Sequence, residues 1–202
     1  APADAARYWF DHRPDAFTMV RSSPLRTIGF ICLLVLEHAD DEACAIDARL
    51  AAAFDHARAT APLRTGEQIQ LMFWATYEGH QDPRPMYVQL SVRSLLSWVN
   101  NPRLAWSYNV VPALPELWLP FHAYIAHQPG PSFAFGKTQT VLTAHDWRRQ
   151  PIEPFLAMMS ERELHGGVEP PTPERDALLV LSQEDFIEAV RAALRGFTRE
   201  DE

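Results

Sequence analysis

The feature that most constrains this chain is a strand–helix–strand text between Gly66 and Val111. From Gly66 to Tyr77, Ile69, Leu71 and Phe73 alternate with Gln68, Gln70 and Met72, which is the period of a strand. Pro85 to Val99 has helical spacing, with Val88, Val92, Leu95, Leu96 and Val99 on one face, and Asn100-Asn-Pro102 stops it. Leu104 to Val111 is a second strand. A crossover of this length joins parallel neighbours in one sheet, so the fold class is α/β and one side of the helix is expected to pack on that sheet. The turn leading into the helix, Glu78-Gly-His-Gln-Asp-Pro-Arg-Pro85, has one glycine and two prolines. It cannot offer the run of free backbone N–H groups that cradles a pyrophosphate.

Composition narrows the function classes. The 202 residues are 47% hydrophobic and 22% charged, enough for one well-packed core, and the net charge is −8. No basic stripe is available to displace counterions from phosphates, which argues against nucleic acid and anionic membranes as partners of this piece. The longest apolar run, Ile28 to Leu36, is about half the length that a bilayer-spanning helix needs. Two cysteines, Cys32 and Cys44, make neither a disulfide framework nor a metal-ligand spacing, so a reducing cytoplasm is the expected setting. The chain starts at Ala1 without a signal-peptide core and stops at Glu202 just after helical text, the pattern of a domain cut from a longer protein.

The remaining text predicts a short helix over Ala3 to His12 with Tyr8 and Trp9 inward, then a hairpin of Ala16–Arg21 and Thr27–Leu36. A helix follows over Asp40 to Ala61, with Leu50, Phe54 and Ala57 at helical spacing. After the crossover come a short aromatic helix, Pro115 to Ala126, and a final hairpin of Ser132–Phe135 and Thr138–His145 around Gly136 and Lys137. Residues 1–150 are thus expected to form one α/β domain. Residues 151–202 are expected to form a helical extension that packs on the domain or leads out of it: a helix over Ile152–Glu163, a Gly/Pro linker over Gly166–Pro173, a short apolar run, Ala177–Leu181, and an amphipathic helix. That last helix is capped by Ser182-Gln-Glu-Asp185 and carries Phe186, Ile187, Val190, Ala193, Leu194 and Phe197 on its apolar face.

This element order resembles the GCN5-related N-acetyltransferase (GNAT) fold over Ala3 to Trp147, a mixed central sheet flanked by helices. The text that carries the resemblance is Ala16-Phe-Thr-Met-Val-Arg-Ser22 followed by Thr27-Ile-Gly-Phe-Ile31. Arg7-Tyr-Trp9, Ala105-Trp-Ser107, Ala144-His-Asp-Trp-Arg148 and Leu181-Ser-Gln-Glu-Asp-Phe186 also look like GNAT-like regions attached to larger bacterial multidomain regulators with ATPase modules. The family's pyrophosphate loop, Q/R-x-x-G-x-G/A, does not occur between Ala75 and Met86. The resemblance therefore implies a degenerate domain that senses a small-molecule ligand, regulates or mediates interaction with flanking domains. Its alternative is an active acyl-CoA-dependent N-acetyltransferase with a divergent cofactor loop. In the active case it implies Tyr124 as general acid and Glu78 as general base, with Gly79, Arg84 and Tyr87 against acetyl-CoA.

Each candidate has a plainer reading beside it. Tyr124 lies among Trp118, Phe121 and Ile125, as a core tyrosine with its hydroxyl at the surface would, and Glu78 reads as a solvated turn carboxylate. His122 and His127 are five apart, on different faces of a helix, and His145 has no second ligand nearby, so no metal site is expected. Ser91, Ser94 and Ser97 lack a glycine-flanked elbow, and Gly136-Lys-Thr138 lacks the upstream glycine of a phosphate loop. Trp74, Trp98, Trp106, Trp118 and Trp147 fit either a core or the lining of a ligand cleft.

Overall fold

A computed structural model describes residues 2–24, 26–38, 40–76, 84–111, 115–136 and 138–165. Residues 78–83 of the expected turn Glu78–Pro85, the linker Gly166–Pro173, the apolar run Ala177–Leu181 and the helix to Phe197 lie outside the described residues, and Arg84 and Pro85 open a helix. Helix α1 (Pro2–His12) leads into the hairpin β1 (Phe17–Ser23) and β2 (Arg26–Leu36), then α2 (Asp41–Ile46) and α3 (Ala48–Thr60). The crossover is β3 (Gln68–Thr76), α4 (Arg84–Asn100) and β4 (Leu104–Val111). It is followed by α5 (Pro115–Tyr124), β5 (Gln128–Phe135), β6 (Thr138–Asp146) and α6 (Ile152–His165).

The six strands form one sheet in the order β1-β2-β3-β4-β6-β5. Among these pairs only β3 and β4 are parallel, with Leu71 opposite Tyr108 and Met72 opposite Asn109. Both faces of this central pair are covered, as parallel strands require. One face packs Ile69, Leu71, Phe73, Trp106 and Tyr108 against α1 and α3 through Trp9, Leu50, Ala53 and Phe54. The opposite face carries Gln70, Met72, Trp74, Ser107 and Asn109, and meets α4 and α6. A mixed sheet with a single parallel step, a crossover helix on one side and helices on the other is the layout that the GNAT-like resemblance implies.

Three expectations are corrected. The helix expected over Asp40–Ala61 is two helices, because Asp47 leaves helical geometry (φ −117°, ψ 96°) to cap both of them. Its buried carboxylate accepts from the Arg49 backbone N–H, the Arg49 guanidinium (two bonds of 2.8 Å) and Trp9 Nε1 (2.8 Å), more than a mid-helix aspartate could reach. On α4 the buried face is also different. Leu90, Ser94 and Trp98 are buried, whereas Val92, Leu95, Leu96 and Val99 are 41–53% exposed. Burying the Trp98 indole removes more apolar area from water than any one valine or leucine, and the same rotation brings Ser97 Oγ to Gln70 Oε1 (2.7 Å) and Ser94 Oγ to Met72 Sδ (3.1 Å). The Val88 side chain lies outside the described residues.

The third correction concerns the final hairpin, whose first strand starts at Gln128 rather than Ser132. Pro129 and Pro131 are tolerated because β5 is an edge strand, and the register shifts between Pro129 and Ser132. Gly130 between them is closely approached by the neighbouring strand: a Cβ there would stand 3.0 Å from the Leu142 carbonyl oxygen, a tight contact. The aromatic helix before it ends at Tyr124. His127 N–H bonds to His122 O (2.7 Å) and Ala126 N–H to Ala123 O (3.0 Å), a Schellman end with Ala126 in the left-handed region at φ 58°.

Candidate functional site

At the carboxyl ends of β3 and β4 the sheet is not filled by side chains alone. In open α/β sheets the crevice beyond the strand ends is the usual place for a ligand, and a cavity of about 530 Å³ lies there. Strand β3 contributes Met72 and Trp74, β4 contributes Asn109, Val110 and Val111, and α4 contributes Leu90, Ser91, Ser94, Leu95 and Trp98. Phe121, His122, Tyr124 and Ile125 come from α5 and its end, and Phe155, Leu156, Met159 and Glu163 from α6. Leu95, Phe121 and Leu156 both line the cavity and remain 37–44% exposed, so they mark its mouth.

The polar groups of the wall are mostly engaged with the protein. Tyr124 donates its hydroxyl to Glu163 Oε1 (2.5 Å), and Arg162 donates to the Tyr124 carbonyl while its guanidinium stands 5.5 Å from the tyrosine ring. These contacts clamp α5 to α6. His122 is buried and paired through Nδ1 with Thr143 Oγ1, and burial pushes its imidazole down to about 4, so it is neutral near pH 7. Asn109 Oδ1 and Trp98 Nε1 are buried with no hydrogen-bond partner among the described residues. Such orphaned atoms are few in folded proteins; of the three among the described residues, Gln70 Nε2 lies off the cavity, and the other two belong to side chains of its wall.

Beneath the cavity lies a row of imidazoles. His127 Nδ1 faces the Ile125 carbonyl (3.0 Å), which can only accept, so Nδ1 carries the proton and Nε2 accepts from Ser107 Oγ (2.9 Å). Ser107 Oγ in turn accepts from Trp147 Nε1 (3.0 Å). The pair has the connectivity of a serine nucleophile and its base, but Ser107 and His127 are fully buried, so no substrate reaches the hydroxyl. Burial also holds His127 well below the usual imidazole range. His145 contacts the carbonyls of Ala126 (2.8 Å) and Gln150 (3.0 Å), joining the end of α5 to the turn before α6. No three His, Cys, Asp or Glu side chains among the described residues are grouped to hold a metal ion.

Of the residues singled out from sequence, Tyr124 is on the cavity wall, but its hydroxyl proton is committed to Glu163. Arg84 and Tyr87 fall in the first turn of α4, with side chains outside the described residues. Glu78 and Gly79 lie outside the described residues altogether. Trp74 and Trp98 line the cavity, whereas Trp106 and Trp147 are buried in packing clusters. Asn109, His122 and Glu163 were not legible as wall residues. An isolated asparagine inside an apolar strand text was the one available signal, and nothing in the text joins Glu163 to Tyr124.

No family model and no curated protein matches the chain. Among solved structures it is similar to Arabidopsis thaliana NAA60 in complex with acetyl-CoA, with 11% identity over 73% of this chain and 95% of that chain and a TM-score of 0.43. It is also similar to FeeM, an N-acyl amino acid synthase from uncultured soil microbes (14% identity, 74% of this chain, 94% of that chain, TM-score 0.44). A third similar structure is the C-terminal condensation domain of Ebony in complex with beta-alanyl-dopamine (10% identity, 72% and 81%, TM-score 0.48). The strand order, the single parallel step and the crossover helix, taken together, make this chain a GNAT-like domain in its architecture.

Proposed function

We propose that this chain is a ligand-binding module of GNAT-like architecture, working for the domains that flank it in a larger bacterial protein and without efficient acyl transfer. The observation that carries this reading is the cavity at the carboxyl ends of β3 and β4, of a size that suits a small molecule. Two further facts weigh against transfer. A tyrosine whose proton already belongs to a carboxylate bond must break that bond before it can protonate a leaving thiolate. The β3–α4 turn has one glycine and carries Glu78 and Asp82, a poor cradle for a pyrophosphate. The cavity is of a size that suits the apolar end of an acyl-CoA, while the text Glu78–Pro85 lacks the glycines of a pyrophosphate loop.

The second reading, an acyl-CoA-dependent N-acyltransferase, is favoured by one placement: Tyr124 lines the cavity beside the two parallel strands. Calorimetry with acetyl-CoA and free CoA, joined to an amine acetylation assay, separates the two readings. The module reading expects no turnover and expects Tyr124→Phe to leave ligand affinity within about threefold. Turnover near the 1–1000 per second common for enzymes, falling at least about tenfold in Tyr124→Phe, would transfer the chain to the enzyme reading.

A further inference from the structure

The cavity wall is apolar and rich in flat rings, yet two of its polar atoms are left without partners among the described residues. Asn109 on β4 and Trp98 on α4 are both more than nine-tenths buried, and the orphaned atoms are Asn109 Oδ1 and Trp98 Nε1. The first accepts, and the second can only donate. A buried group left unpaired costs stability, so this wall is complete only when something supplies a donor to one and an acceptor to the other. Its other buried or half-buried polar side chains are already engaged. Ser94 donates to Met72 Sδ, Tyr124 donates to Glu163, and His122 is paired with Thr143.

One kind of group meets a carboxamide at both its ends: an amide whose N–H and C=O lie side by side. An open-chain secondary amide holds the two on opposite sides of its C–N bond, whereas ring closure puts them on the same side. The ring carbonyl keeps a second lone pair, which suits the Trp98 N–H. A hydrocarbon would leave both atoms as they are. An ion would enter without a counter-charge, because Glu163, the one carboxylate of the lining, is exposed and already accepts from Tyr124, and His122 is neutral near pH 7. Volume sets the size: an apolar cavity of about 150 Å³ accommodates one benzene ring, so about 530 Å³ accommodates on the order of 20 non-hydrogen atoms. Trp74, Trp98, Phe121 and Phe155 offer ring faces and edges to a flat guest. Resting on the module reading above, we infer that the cavity binds a flat, uncharged ring compound of about 10 to 20 non-hydrogen atoms that carries a cyclic amide, its N–H donating to Asn109 Oδ1 and its carbonyl accepting from Trp98 Nε1. Such a compound has neither a thioester nor a free amine, so it is neither partner of an acyl transfer.

The test is a calorimetric titration of the full 202-residue chain with bicyclic rings of nearly one shape: quinolin-2-one, 1-methylquinolin-2-one, coumarin and naphthalene, each below its solubility limit. Only the first has both the N–H and the carbonyl; the next two keep the carbonyl alone, and the last has neither. Quinolin-2-one is expected to bind at least about tenfold more tightly than 1-methylquinolin-2-one or coumarin, because it alone supplies a donor to Asn109. Asn109→Leu is expected to bring quinolin-2-one within about threefold of coumarin. Coumarin itself should change by less than about threefold in that variant, which also reports an intact cavity. The indole N–H resonance of Trp98, identified by its loss in Trp98→Phe, is expected to move with quinolin-2-one or coumarin and far less with naphthalene.

Equal affinity for all of these rings would overturn the cyclic-amide inference and leave the module reading standing. A preference for quinolin-2-one that survives Asn109→Leu would put the amide elsewhere and overturn it too. A Trp98 resonance that no ring moves would do the same on the unaltered chain, whatever the variants do. Binding of none of the rings would overturn the inference, and the acetyl-CoA titration and amine assay above then decide the module reading separately.

Discussion

Asp47 shows what one side chain can decide. It is fully buried, its partner Arg49 is 5% exposed, and the guanidinium lies 3.6 Å from the centre of the Phe73 ring, so the pair joins helix α3 to the sheet. Removing one half of a buried pair leaves an uncompensated charge. Asp47→Ala is expected to cost about 3–5 kcal/mol, read from urea unfolding, whereas breaking the exposed Arg58–Asp55 pair by Arg58→Ala should change stability by less than about 1 kcal/mol. A second residue-scale expectation concerns acid. His122 has its imidazole lowered by burial from 6.5 to about 4, so the folded chain binds fewer protons than the unfolded chain across that interval. Its contribution is fully present above about pH 6.5 and is lost as the pH falls towards 4, amounting to about 2–3 kcal/mol by pH 4.5. His127 is shifted in the same direction by the same cause. Unfolding curves at pH 7.5 and 4.5 should show this loss, and His122→Gln should show a smaller one.

Helix α4 is the instructive element. Its apolar residues were legible, and so was its existence, but the face it buries is not the one with most valines and leucines. Periodicity counts apolar positions and does not know what the facing strand offers, and here the second face of β3 offers Gln70 and Met72 to two serines and a tryptophan. Leu96→Lys is accordingly expected to change stability by no more than about 0.5 kcal/mol, while Leu90→Ala should cost about 2–4 kcal/mol; the reverse order in chemical unfolding would restore the face expected from sequence. The end of α5 makes a similar point. A Schellman end calls for glycine, and the chain has Ala126 there, at φ 58°. Ala126→Gly should raise stability by about 1 kcal/mol, seen as a higher Tm, because the left-handed geometry costs alanine about that much.

At the scale of the whole molecule, α6 changes what the domain is. The resemblance ended at Trp147, yet Phe155, Leu156, Met159 and Glu163 complete the cavity, and Phe155 packs with Trp98 and Trp147. Phe155→Ala should cost about 3–5 kcal/mol in unfolding and also weaken any ligand of the cavity, a pairing of effects that a purely outlying helix would not give. A ligand held at about 100 times its Kd should stabilise the chain by about 2.7 kcal/mol, measurable as a concentration-dependent rise in Tm.

The amino-acid sequence alone determined the α/β class, the order of elements, the parallel step and the bounds of β4, because these follow from local periodicity, turn residues and the rule that a crossover joins parallel neighbours. Only the tertiary structure decided the break at Asp47, the rotation of α4, and the union of Tyr124 with a carboxylate 39 residues away. Those three depend on competition between distant side chains for the same buried space and the same hydrogen bonds, and no local pattern encodes the outcome of that competition.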